Sequence, residues 1–222
     1  MLYRLESFYG KQSFAYLMTM FNLSSVIMMV NIENGRQLLK ELQIIVDEQC
    51  EQNSDLYGSY LMGIYWGAQA LASQSPTDYQ VFLNRLTDWY EKNHRPSWES
   101  IYIGKHIANI YYTSLSLPDK AANLFDIVRK DVSNISKGSV FYTSVLENLI
   151  SSQSQSSNLD TRKEAAEHSK ELITIHERQN SPSARDYQML SSLQLSLGNK
   201  EMAIQTLRTG IDKSVLPEDG LW

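Results

Sequence analysis

Residues 184–211 read ARDYQMLSSLQLSLGNKEMAIQTLRTGI and decide the fold. Two amphipathic runs meet at Leu197-Gly198-Asn199. Tyr187, Leu190, Leu193 and Leu197 recur at helical spacing before that turn, and Ala203, Ile204, Leu207 and Ile211 after it. The spacing predicts a helical hairpin. A hairpin this short cannot bury both apolar faces by itself, so it needs neighbours of its own kind.

Working outward, the rest of the chain offers them. Phe14–Val30 reads as a first helix, stopped by Asn31 to Gly35, and Arg36–Glu51 as a second with Leu38, Leu39, Leu42, Ile45 and Val46 on one face. Ser54 or Asp55 caps a third helix to about Ala72, and Pro76-Thr77-Asp78 opens a fourth to about Lys92. After the break His94-Arg95-Pro96-Ser97, a fifth runs to about Leu115. Pro118 suits the first turn of a sixth, to about Val132, because its missing amide hydrogen is not needed there. Gly138-Ser139 begins a seventh to about Ile150, and SSQSQSSN (151–158) reads as an exposed low-complexity loop. Asp160 or Thr161 caps the eighth, to about Arg178. Met1–Gly10 is a lead-in, and Val215–Trp222 a tail expected to pack on the last hairpin.

The expectation is an all-α chain with no strands, about ten antiparallel helices in a single domain. Its hairpins span roughly 12–52, 54–93, 97–132, 138–179 and 183–213. The period drifts around roughly 35 to 40 residues, the range of helical repeats. Stacked hairpins of this kind make an α-solenoid; the alternative is a closed helical bundle.

Composition narrows the function. A formal net charge of −5 over 222 residues, with no Lys/Arg run, argues against nucleic-acid binding. One cysteine, Cys50, allows no intrachain disulfide and no cysteine metal site, which fits a soluble, cytoplasmic chain. The uncharged stretch Ser13–Ile32 is interrupted by Asn22, Ser24, Ser25 and Asn31, so a packing helix is preferred to a membrane span. Glu164, His168 and Glu171 share a helix face, yet the interspersed Lys163 and Lys170 make it a salt-bridged surface, and no metal is expected. Acidic neighbours keep Cys50 from being a nucleophile. His94 is expected to serve its turn. No nucleotide-binding or hydrolase motif occurs, and neither a cofactor nor catalysis is expected.

At Tyr187, Leu190, Ser191, Gly198, Ala203, Leu207 and Gly210 the last hairpin resembles a tetratricopeptide repeat. In that family small residues, here Ser191, Ala203 and Gly210, mark where paired helices touch. Residues 107–111 (IANIY) with Ala121, Ala122 and Phe125 look like a second copy with a slightly longer turn. The resemblance implies a non-catalytic scaffold that binds a peptide or protein partner along its first helices, with homo-oligomerisation left open. It places Tyr102, Lys105, Asn109 and Tyr112 in the binding groove. Lys105 and Asn109 resemble half of a clamp for a peptide's terminal carboxylate; the other half fails, with Arg185 and Met189 in the last hairpin and no matching Asn on the seventh helix. Alternatives are a ligand-sensing or oligomerising part of a larger regulator, favoured by a closed cavity under Gly63 and Gly67 or by symmetric dimerisation through the final hairpin, and an enzyme with an inter-helix pocket. The aromatics of the third and fifth helices, Tyr57, Tyr60, Tyr65 and Trp66, then Trp98, Tyr102, Tyr111 and Tyr112, are further groove candidates.

Overall fold

The computed structural model describes Gly10, residues 13–71 and residues 75–213; the sequence-predicted lead-in before Gly10 and the tail from Val215 lie outside them. Among the described residues there are ten α-helices and no strand. They form two compact units that divide between Ile103 and Gly104.

The first unit contains α1 (Phe14–Val30), α2 (Ile32–Gln49), α3 (Asp55–Gly67) and α4 (Pro76–Asn93). A 3-10 turn, Ala68–Leu71, extends α3. Asn31 alone separates α1 from α2, where the sequence predicts a break through Gly35. Its extended backbone ends α1, and its side-chain oxygen accepts from Asn34 N at 3.1 Å to start α2. Gly35 is therefore helical, and its missing Cβ leaves room for Met28 and for the Ser24 carbonyl on α1. α1 packs on α2 and on α3, and α3 on α4. The core holds Leu17, Phe21 and Met28 from α1, Leu39, Leu42 and Val46 from α2, and Leu83 and Leu86 from α4. Each such fully buried side chain contributes about 2 kcal/mol relative to exposure. The uncharged α1 thus buries one side and leaves Val26, Met29 and Val30 in solvent. No helix among the described residues is long and apolar enough to cross a membrane.

α5 (Trp98–Thr113) begins in the first unit and ends in the second. The second unit continues with α6 (Pro118–Ser136), α7 (Val140–Ser154), α8 (Leu159–Arg178), α9 (Ala184–Ser196) and α10 (Lys200–Lys213), each from α6 onward packing on the next. Caps follow local chemistry: Ser54, Ser139 and Ser183 accept from first-turn amides of α3, α7 and α9. α8 is capped by Asn158 rather than by Asp160 or Thr161, because the Asn158 side chain accepts from Asp160 N at 2.8 Å.

The stretch 151–158 is not an exposed loop. α7 runs through Ser154, and Ser152, Gln153 and Ser156 are buried. Ser152 Oγ donates back to the Asn148 and Leu149 carbonyls, so the serine satisfies itself inside the helix. The Gln153 amide donates to Glu164 and accepts from His168 on α8. A polar sequence is buried here because its groups find partners on site.

The last hairpin is built as its sequence predicts. Gly198 takes φ +81° in the turn. Ser191 Oγ donates to the Ala203 carbonyl at 3.1 Å, both residues being buried. A Cβ on Gly210 would lie 2.6 Å from Tyr187 Cβ. Ile204, Leu207 and Ile211, by contrast, are exposed.

Candidate functional site

Of the predicted groove residues, Lys105, Asn109 and Tyr112 belong to the second unit and stand on successive turns of α5. Lys105 Nζ donates to Ser144 Oγ on α7 at 2.9 Å and lies 4.6 Å from the centre of the Phe141 ring. Seven residues on, the Tyr112 hydroxyl accepts from Gln155 Nε2 at 2.7 Å and reaches the Ser151 carbonyl at 3.5 Å. The Lys105–Ser144 and Tyr112–Ser151 contacts both join residues 39 apart, so α5 and α7 lie side by side in the same direction. Tyr102, in the first unit, is 46% exposed.

Lys105 is half-buried and has no ion pair among the described residues. Burial pulls its ammonium below the usual lysine range, and the Glu147 carboxylate opposes that pull. The side-chain amide of Asn109 makes no hydrogen bond to a described residue. Asn148 completes the set, and the sequence reading missed it. It lies between Ser144 and Ser151 on α7 as Asn109 lies between Lys105 and Tyr112 on α5. Its side-chain amide is likewise unbonded among the described residues. The signal that finds it is the 39-residue spacing, which only the pairing of α5 with α7 reveals. Arg185 is exposed at the start of α9 and Met189 is half-buried.

In the first unit, a cleft of about 580 Å³ is lined by Tyr57, Leu61, Asn84, Arg85, Asp88 and Trp89. Its cation is already committed: Arg85 pairs with Asp47 and donates to the Tyr57 hydroxyl. Of the third-helix tyrosines, Tyr60 and Tyr65 are buried in the core, and Tyr57, also buried, borders this cleft. Tyr57 donates to Asp47 at 2.8 Å and Tyr65 bonds Tyr79, so their hydroxyls are satisfied while their rings fill the core. There is no room under Gly63 and Gly67. A Cβ there would meet Phe21 at 2.6 Å and the Phe21 carbonyl at 2.8 Å, respectively.

No family model matches this sequence and no curated protein matches it. Solved structures do. A candidate kinesin light chain of Podosopora anserina, built of nearly identical TPR-like repeats, aligns over 96% of this chain and 95% of its own with TM-score 0.63 at 13% identity. A point-substituted form of that protein gives TM-score 0.63 at 12% identity over 95% and 94%. BtubC (BKLC) of P. vanneervenii gives 0.59 at 14% identity, over all of this chain and 91% of its own. The chain has a tetratricopeptide-repeat-like fold. At these identities the likeness is one of fold.

In this TPR-like α-solenoid His168, His176 and His94 make contacts within or between helices. His168 Nδ1 lies 2.9 Å from Gln153 Oε1, so Nδ1 carries the proton and the imidazole serves the α7–α8 contact. Burial and the nearby Arg129 hold its pKa below the usual histidine value, against Asp126, Glu171 and Glu164. His176 donates to the buried Asp186 at 2.7 Å, tying α8 to α9. His94 ends α4 and lies against the Tyr90 ring. Burial, then Asp47, pushes the Cys50 thiol up, which keeps it protonated. No His/Cys/Asp/Glu cluster among the described residues is arranged to hold a metal ion.

Proposed function

We propose that this TPR-like chain is a non-catalytic scaffold whose α5–α7 face in the second unit binds a peptide through an anionic group. Supporting this is one observation above the others: Lys105 is a half-buried cation with no ion pair among the described residues, one turn along α5 from Asn109, whose amide, like that of Asn148 on α7, is unbonded among the described residues. A point charge flanked by amide donors suits a carboxylate, whose two oxygens accept charge-assisted hydrogen bonds. Tyr112 and the Phe141 ring supply apolar area with a polar edge beside it. Tyr102 belongs to the first unit and is left out of this proposed face.

The test is a peptide library presented as free acids and as C-terminal amides, with bound sequences measured by calorimetry. A Lys105→Met variant keeps the stem on Phe141 and removes the charge. It is expected to lose about 2 kcal/mol of binding, and Tyr112→Ala to weaken it further. Asn148→Ala is expected to weaken free acids more than amides. Affinities unchanged in Lys105→Met would remove α5 from the site.

A further inference from the structure

We propose that the outer face of the last hairpin is a homodimer interface, in which α10 of one copy lies antiparallel against α10 of a second copy.

The starting point is the repeat register. Ile107 and Ala108 occupy in α5 the places that Leu190 and Ser191 occupy in α9, and Ala121 in α6 corresponds to Ala203 in α10, all six being buried. From that alignment Tyr112 corresponds to Leu195, Ala122 to Ile204, Phe125 to Leu207 and Arg129 to Ile211. In the internal copy α7 packs along α6, and Phe125 is 0% and Ala122 5% exposed. In the last copy no described helix follows α10. Leu207 is 42%, Ile204 45% and Ile211 76% exposed, with Leu195 at 52%. A repeat whose outer face lies in water carries polar residues on that face. This one presents isoleucine and leucine at i, i+3 and i+7, the seam of a helix with a helical neighbour.

The charges beside the seam favour a second copy. Glu201 and Arg208 lie two turns apart on one flank, both exposed and neither in an ion pair among the described residues. In a two-fold contact residue i meets j and j meets i. An axis between Ile204 and Leu207 puts each Ile204 against the other copy's Leu207 and each Glu201 beside the other copy's Arg208. The antiparallel arrangement also sets each helix N-terminus near the opposing C-terminus, which the helix dipoles favour.

Sedimentation equilibrium on the full chain tests this, against a monomer mass of 25.5 kDa. The expected result is a concentration-dependent shift to twice that mass. Leu207→Glu should be monomeric with unchanged far-ultraviolet circular dichroism. Glu201→Arg should raise the dimer dissociation constant about tenfold, the effect of losing roughly 1.4 kcal/mol, and Glu201→Arg/Arg208→Glu should restore it. A wild type monomeric at every concentration, or a Leu207→Glu dimer, overturns the interface, including the case where the chain's own last residues cover the seam. A double variant that fails to recover overturns the antiparallel pairing.

Discussion

The two units bring their helices together by different means. In the first, glycine makes the close approaches: the Trp89 indole lies over Gly58, Phe21 and Met18 over Gly63, and the Phe21 carbonyl and Ser24 hydroxyl over Gly67. In the second, alanine and serine do most of this work, with Ala108, Ala121 and Ala203 buried and Ser191 bonded across to the Ala203 carbonyl. Each helical glycine costs about 1 kcal/mol of helix propensity relative to alanine. The first unit accepts that cost where a neighbour's backbone or ring leaves no space for a methyl group. The second adds a polar contact in which the buried Gln153 bonds the half-buried His168 and the exposed Glu164. Close packing and polar bridging thus serve the same helix pairing, and the first unit uses both, since Arg85 pairs with Asp47 and donates to Tyr57.

The contrast breaks most sharply at Gly67. A Cβ there lies 2.8 Å from the Phe21 carbonyl, which is backbone and cannot rotate away. Gly67→Ala is expected to destabilise by about 2 kcal/mol in urea unfolding, since overpacking of roughly 1–3 kcal/mol outweighs the propensity gain. A neutral or stabilised variant would mean that glycine is not needed there. Next comes Gln153→Leu, which leaves His168 and Glu164 without their amide; the loss is expected to be about 1.5 kcal/mol at neutral pH. No change would show the polar contact to be idle. Gly198→Ala separates a glycine needed for its φ of +81° from one needed for space, because no atom lies within 4 Å of its Cβ position. Its expected cost is about 1 kcal/mol, from backbone strain alone.

The smallest effect is on pH dependence. Burial lowers the pKa of His168, with Arg129 adding to it, and burial followed by Lys105 lowers that of His106, from a usual value of 6.5. Both are held neutral in the folded state, while the unfolded chain takes up protons as pH falls through about 6.5. Proton uptake by the unfolded state makes stability decline below that pH. His168→Gln should flatten the slope of unfolding free energy between about pH 7 and pH 5. A slope unchanged in that variant would assign the dependence elsewhere.

Much of this was legible beforehand. The ten helices, Ser54 as the cap of α3, and the prolines opening α4 and α6 follow from residues adjacent in sequence. The contact of Ser191 with Ala203 was also legible, because the repeat signature fixes it within one hairpin. Some errors arose where the deciding partner lies on another helix, whereas the Asn31 turn and the Asn158 cap were misread from local residues. Gln153 looks like a loop residue until α8 supplies Glu164 and His168. Tyr57 looks like a groove residue until Asp47 and Arg85 take its hydroxyl. Asn148 carries no local mark at all.

By itself, the sequence determined the helices and the contacts of the last hairpin, because those depend on hydrogen bonds and side-chain spacings spanning a few residues. Tertiary structure decided which polar groups are satisfied and which remain available. Arg85 and Lys105 are both cations on helices, yet Asp47 pairs with the first, while the second meets a serine and a ring and feels Glu147 only through space. The reason is that a charge's partner is set by which helix the fold lays beside it, and pairing across 38 or 39 residues is invisible to local pattern.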